Sequence, residues 1–248
     1  KYLQTLGSRM VSFYEKLMIN LHYGCLLKCK TRSSAMCENG GVPHPRDCSK
    51  CICPSGYGGN FCNQRPVGCG KTFLATTSFQ TLRDKMSAER RSDDFTVCNY
   101  WIQAPNGTTI EVVLDSYTRD IGADRCPYAG VEIKTGSDKR RTGYRFCAME
   151  NVGTSLISSH NTVPVITYGG LYEATTVLRY RIASTVPETS PTTSSSTLPI
   201  TSQSTNSSQA HCLDSSVCTT LMKWDFCRSA KYDEDLRRLI CPKSCGFG

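Results

Sequence analysis

The stretch Cys51-Ile52-Cys53-Pro54-Ser55-Gly56-Tyr57-Gly58-Gly59-Asn60-Phe61-Cys62 closes a run, Cys25 to Cys62, that holds seven of the sixteen cysteines in the chain. The others fall at 69, 98, 126 and 147 and then between 212 and 245, with a cysteine-free tract of Ser, Thr and Pro before the last group. Short, dense groups of this kind are the disulfide frameworks of small modules made in an oxidising compartment. The competing use of cysteine is zinc. Cys48-x2-Cys51 has the spacing of half a zinc site, but no second pair stands at the required distance, and the chain has four histidines in all. The 248 residues therefore read as several modules in series, mainly β and disulfide-rich, with no metal-binding group.

No run of about eighteen apolar residues is present, so no membrane span is expected. Residues 1–24 carry an apolar pattern, but charges interrupt it and no small-residue cleavage site follows, so it is not a signal peptide. A secreted-type cysteine pattern that opens at Lys1 without such a signal suggests a piece of a longer protein. The formal charge is +8, with Lys139-Arg140-Arg141, Arg179 with Arg181, and Arg237-Arg238 as local contributors. Solvated loops and strand faces are the plain reading of these groups. The sharper reading is contact with anionic matrix glycans. An oxidising compartment argues against nucleic acid.

Residues 10–24 have the period of an amphipathic helix, with Met10, Phe13/Tyr14, Leu17/Met18 and Leu21 three or four apart. Ser12-x-x-Glu15 is a capping box, and Gly24 suits a left-handed stop. So short a helix is marginal alone and needs a body to pack on, which the rest of the sequence does not obviously supply. The segment Thr5-Leu6-Gly7-Ser8-Arg9-Met10-Val11-Ser12-Phe13-Tyr14 through Ile19-Asn20-Leu21-His22-Tyr23-Gly24-Cys25 resembles the end of the catalytic domain of astacin-family zinc metalloproteinases. The resemblance implies that residues 1–25 are a helical remnant of that domain. It also implies that Cys25, which in the family bridges back to the start of the domain, is unpaired here. The family's chemistry needs His-Glu-x-x-His-x-x-Gly-x-x-His, in which histidines on one helix face hold zinc and a glutamate acts as base. His22, His44, His160 and His211 are scattered and none lies in that motif, so no catalytic residue carries over. Zinc is expected in an absent catalytic domain.

Residues 26–66 contain Cys29, Cys37, Cys48, Cys51, Cys53 and Cys62, and their second half resembles an EGF-like module. Six cysteines allow fifteen pairings and spacing does not choose among them. The resemblance implies Cys29–Cys48, Cys37–Cys51 and Cys53–Cys62. Leu26-Leu27-Lys28 stands where calcium-binding members carry acidic residues, so calcium is not expected.

Residues 67–184 change to period two: Ile110, Val112, Leu114; Val131, Ile133; and Leu178, Tyr180, Ile182 with Arg179 and Arg181 between. This is the pattern of half-buried strands in an all-β sandwich. Ala104-Pro105-Asn106-Gly107 reads as a hairpin turn, because Asn-Gly tolerates the positive φ. Cys98-x-Tyr100-x-Ile102-x-Ala104-Pro105-x-Gly107, with Cys126-Pro127-Tyr128 and Cys147 beyond, resembles a CUB domain, which implies Cys69–Cys98 and Cys126–Cys147. Many such domains bind calcium through an aspartate after the tyrosine matched by Tyr128. Here Ala129, which has no oxygen ligand, stands there.

Residues 185–211 form a disordered Ser/Thr/Pro linker similar to an O-glycosylated stalk. Asn106-Gly-Thr and Asn206-Ser-Ser are glycosylation sequons. Residues 212–248 resemble a small helical ShK-toxin-like module with Cys212, Cys218, Cys227, Cys241 and Cys245. That likeness implies Cys218–Cys241 and Cys227–Cys245. Gly248 stands where the family's sixth cysteine belongs, which leaves Cys212 unpaired. Lys231-Tyr232 lies near the channel-blocking pair of that family, but Asp233-Glu234-Asp235 opposes docking on an acidic pore mouth.

Three functions follow as expectations. The first is the non-catalytic C-terminal region of a secreted astacin-type metalloendopeptidase, recognising matrix or substrate proteins. The second is a free-standing extracellular adhesion protein. The third is a channel-directed peptide module.

Overall fold

The computed structural model describes residues 5, 10–29, 34–86, 95–119, 121–170 and 172–183, and in the C-terminal region 218, 222, 225–228, 237, 241 and 243–246. The chain divides into two compact units, Lys1–Pro187 and Glu188–Gly248. The first unit opens with helix α1 (Phe13–His22), shorter at both ends than the expected span. Its cap is the box read from sequence. Glu15 N donates to Ser12 Oγ, and Ser12 N donates to the Glu15 carboxylate at 2.5 Å. Gly24 ends the helix at φ +64°.

The disulfide module follows. Strands β1 (Val42–His44) and β2 (Asp47–Ile52) pair antiparallel, and bonds Cys29–Cys48, Cys37–Cys51 and Cys53–Cys62 hold the segment. These bonds link residues 19, 14 and 9 apart. Each such closure removes roughly 3 kcal/mol of freedom from the unfolded chain, in place of the core the segment is too small to build.

Among the described residues nine strands make the sandwich: β3 (Thr72–Leu74), β4 (Gln80–Met86), β5 (Thr96–Gln103), β6 (Ile110–Tyr117), β7 (Ala129–Ile133), β8 (Tyr144–Phe146), β9 (Ser155–Ile157), β10 (Thr162–Gly169) and β11 (Ala174–Ile182). One sheet runs β3-β5-β10-β7-β8 and the other β4-β11-β6-β9. All neighbours are antiparallel except β3 and β5, which run parallel. Leu82, Ile102, Val112, Leu114, Val131, Ile133, Phe146, Val165 and Leu178 fill the space between the sheets. Bonds Cys69–Cys98 and Cys126–Cys147 tie loops to it. Among the described residues no helix is long and apolar enough to cross a membrane.

The segment Ala104–Gly107 turns, but not into a hairpin. Gly107 has φ +80° and Thr108 N donates to Pro105 O at 3.2 Å, yet β5 and β6 lie in different sheets. Asn-Gly sets only the local backbone. Ile102 on one strand and Ile110 and Val112 on the next are each wholly buried, and they serve one core from opposite layers. The turn therefore carries the chain across the sandwich. The neighbour of β5 is instead β10, with Val163 opposite Ile102.

The expected half-burial also fails in the first sheet. β7 is buried at every position, Glu132 included. A second layer covers the outer face of this sheet.

In the C-terminal unit Cys218–Cys241 and Cys227–Cys245 are bonded, with Phe226 packed among the sulfurs. The linker 185–211, Asn206, His211, Cys212, Asp233-Glu234-Asp235 and Lys231-Tyr232 lie outside the described residues. Cys25 is the cysteine without a disulfide partner among those described.

Gly70 joins the disulfide module to the sandwich at φ +103°, and a Cβ there would stand 1.8 Å from Asn99 O. Gly70→Ala is expected to cost more than about 2 kcal/mol, because backbone must move to admit it. Thermal denaturation of the oxidised chain measures this.

Candidate functional site

The second layer is the disulfide module itself. The turn Ser55-Gly56-Tyr57 sits on the outer face of β5, β10 and β7. Trp101 on β5 is 8% exposed, and its Nε1 donates to Gly56 O at 2.7 Å. The Tyr57 ring meets the indole edge-on, with centroids 5.9 Å apart. Gly56 is there because the backbones come close. A Cβ on it would lie 2.7 Å from Pro164 Cβ on β10. Arg65 staples the linker between module and sandwich, with Nη1 donating to the carbonyls of Pro66, Cys69 and Asn99.

Beneath the turn lies a buried ionic cluster. Glu132 on β7 is 1% exposed and Arg145 on β8 is 4% exposed. Arg145 Nε and Nη2 both reach Glu132 Oε2 at 2.9 Å, while Oε1 accepts from Gly143 N at 2.9 Å and from Ser55 Oγ at 3.3 Å. Both carboxylate oxygens are thus satisfied, while among the described residues Arg145 Nη1 has no hydrogen-bond partner and the guanidinium lies over the Tyr168 ring at 5.7 Å. Thr5 closes the far side. Its hydroxyl donates to Gly143 O at 3.1 Å and accepts from Arg145 N at 3.2 Å.

The loop after β7 also holds helix α1. Tyr14 Oη donates to Asp138 Oδ2 at 2.5 Å, and the Arg140 guanidinium lies over the Tyr14 ring while pairing with Asp138 Oδ1 at 3.0 Å. Burial, and then the bond to Asp138, push the Tyr14 phenol up to about 12. Burial pushes Asp138 up as well, but the bonds from Arg140 and Tyr14 outweigh it and hold the acid at about 2. Lys139 Nζ donates to Asn39 Oδ1 of the disulfide module at 2.8 Å. The helix is thus anchored to the sandwich of the same chain through Tyr14, an anchor the sequence did not suggest, while Met18 and Ile19 on it remain exposed. The long-range bonds from Tyr14 and Thr5 span more than a hundred residues and leave no periodic trace.

The basic groups picked out in the sequence are mostly committed inside the unit. Of Lys139-Arg140-Arg141, two bind as just described, and Arg141 lies 3.7 Å from Asp138 and faces water. Arg179 and Arg181 pair with Asp115 and Glu111 and flank the Phe79 ring. Among the described residues the histidines do not converge. His22 meets Tyr23 edge-on, His44 Nδ1 accepts from Arg46 N, and His160 Nε2 bonds Ser137 O. Among the described residues no three His, Cys, Asp or Glu side chains gather as a metal site. Ala129 is buried at the start of β7, and Tyr128 beside it meets Tyr172 edge-on with ring centroids 5.6 Å apart. A recess of about 500 Å³ lies between Thr118, Arg119, Gly122, Ala148, Met149 and Glu150. Asn106 is exposed on its turn, where its Oδ1 accepts from Asn161 Nδ2 at 3.0 Å.

No family model matches the chain. Among curated proteins it is 42% identical over 194 residues to zinc metalloproteinase nas-31 of Caenorhabditis elegans, covering 77% of this chain and 32% of that one. It is 39% identical over 173 residues to zinc metalloproteinase nas-25 of the same organism, covering 67% of this chain and 43% of that one. The chain belongs to the astacin-family zinc metalloproteinases. It spans between 32 and 43% of the length of these relatives. Among solved structures, the CUB1-EGF-CUB2 region of human MASP-1/3 overlays with a TM-score of 0.35 at 20% identity, covering 54% of this chain and 50% of that one. The MASP-1 CUB2 domain bound to Ca2+ gives 0.32 at 17% identity, with 44% and 96% covered. Such scores add nothing to the strand order and bonds above.

Within this astacin-family chain, Arg145→Met is expected to destabilise the first unit by about 3–5 kcal/mol, because Glu132 is left charged and buried. The double variant Glu132→Leu/Arg145→Met is expected to recover part of that loss, since Gly143 N and Lys134 then lose Glu132. Urea denaturation of the three proteins, compared at one pH, reads the difference.

Proposed function

We propose that this chain is the non-catalytic recognition region of a secreted astacin-type zinc metalloendopeptidase, and that its modules hold extracellular matrix or secreted substrate proteins for the protease. The observation that carries this reading is the 42% identity to a zinc metalloproteinase across 77% of the chain, in residues that contain no His-Glu-x-x-His. That motif supplies the ligands and the base through which such enzymes activate water. What this chain offers is a joined set of disulfide-held modules, the form suited to presenting a surface. The disulfides support an extracellular place for it. Folded proteins are the partner class. Anionic glycans are the second, and they would draw on Arg141 and on Arg83 of the solvent-facing sheet, since Lys139, Arg140, Arg179 and Arg181 are already paired.

The test is competition in trans. In a full-length protease carrying these modules, excess purified chain is expected to raise the KM for a protein substrate several-fold and to leave cleavage of a short peptide unchanged. The chain itself, with zinc added, is expected to cleave neither. Slowing of both substrates, slowing of neither, or proteolysis by the chain alone defeats the reading.

A free-standing extracellular interaction protein is the second reading, and one observation favours it. Helix α1 is anchored through Tyr14 to Asp138 and Arg140 of its own chain, a hold that involves no catalytic body. Asn106 and Asn206 are proposed to carry N-glycans in either case. Asn106 is on an exposed turn between sheets, so Asn106→Gln is expected to remove one glycan's mass on expression in a glycosylating host without lowering the melting temperature by more than about 1 °C.

A further inference from the structure

The charges buried at the joint do not balance. One carboxylate, Glu132, stands with two cations, Arg145 and Lys134, and all three are 6% exposed or less. Arg145 takes the carboxylate. Lys134 Nζ reaches Ser55 Oγ at 3.3 Å and the face of Tyr57 at 5.7 Å. Both of these partners belong to the disulfide module, whereas Lys134 belongs to the sandwich, just beyond β7. Its ammonium is therefore shut away from water only while the module is seated. Lifting the module returns it to solvent, where the charge is far better accommodated.

We propose that seating of the disulfide module and protonation of Lys134 oppose each other, making this joint a pH-responsive hinge that tightens as the pH rises. The groups facing Lys134 come from every element around it. Glu132 on β7 and Asp138 in the following loop favour its charge, and Arg145 on β8 disfavours it. Tyr57, from the module, stays neutral because burial pushes its phenol up. Burial is the largest influence, and it brings the lysine from 10.5 down to about 8.

Proton counts set the direction. Between about 8 and 10.5 the unseated joint holds a proton that the seated joint has lost, so seating gains with rising pH. Below about 8 both states are protonated and the equilibrium is flat. Because coupling is reciprocal, whatever loosens the module raises the lysine back towards its ordinary basicity.

The Trp101 indole N–H, bonded to Gly56 O, reports the seated state in the intact oxidised chain. Its hydrogen-exchange protection, corrected for the intrinsic rate, is expected to rise between pH 8 and pH 10, by at most about tenfold per unit. Lys134→Met is expected to be flat across that range and at least as protected as the wild type at its alkaline end. Lys134→Arg, charged throughout, is expected to be flat and no better protected than the wild type at neutral pH. A wild-type profile without a rise, or a rise that survives in both variants, overturns the proposal. Should Lys134→Met fail to fold, the Lys134→Arg profile alone decides. The readout is the joint itself, so the result is independent of the recognition reading above.

Discussion

The covering of one sheet face by the disulfide module is the contact on which the rest of the first unit depends. A β-sandwich has two outer faces, and water usually solvates both. Here the outer face of β3-β5-β10-β7-β8 is given over to Gly56, Tyr57 and Ser55, which dock on Trp101, Pro164 and the Glu132–Arg145 pair. A module too small to have its own core thereby shares a tryptophan with the next one. The same covering allows charged residues to sit on strands as if they were core. It pairs one of those cations, Arg145, with Glu132 and leaves the other, Lys134, to a hydroxyl and a ring of the module.

Much of the local structure was legible. The Ser12/Glu15 box and the Gly24 stop are short-range, and nothing distant contradicts them. Ile110, Val112 and Leu114 and the Leu178, Tyr180 pair face the core as period two requires. What escaped was long-range. Asn106-Gly107 marks a turn but not which sheet the chain enters next. The helix's support comes from Asp138 and Arg140, and no spacing rule links residue 14 to residue 138. The covered face did leave a signal, because Tyr100-Trp101-Ile102 and Val163-Pro164-Val165-Ile166 are apolar on both sides of the strand. Runs of that kind mark strands buried on both faces.

The joint also changes how the basic composition should be understood. A formal charge of +8 suggests a surface waiting for anions. Lys134, Arg140 and Arg145 are instead interior or half-interior groups, each in contact with a residue of another element, Ser55, Tyr14 and Glu132 respectively. Arg179 and Arg181 form a paired ladder on the open face of the second sheet. Composition counts such charges as available. The structure shows them engaged in holding helix, module and sandwich together, which leaves fewer for any partner.

Thr5 has a role beyond its two hydrogen bonds. β8 is an edge strand, and its outward backbone groups at Gly143 and Arg145 are satisfied by one hydroxyl from residue 5. Backbone groups answered in this way are not free to bond a strand from another molecule, so one side chain from residue 5 does at this edge what a neighbouring strand does elsewhere in the sheet.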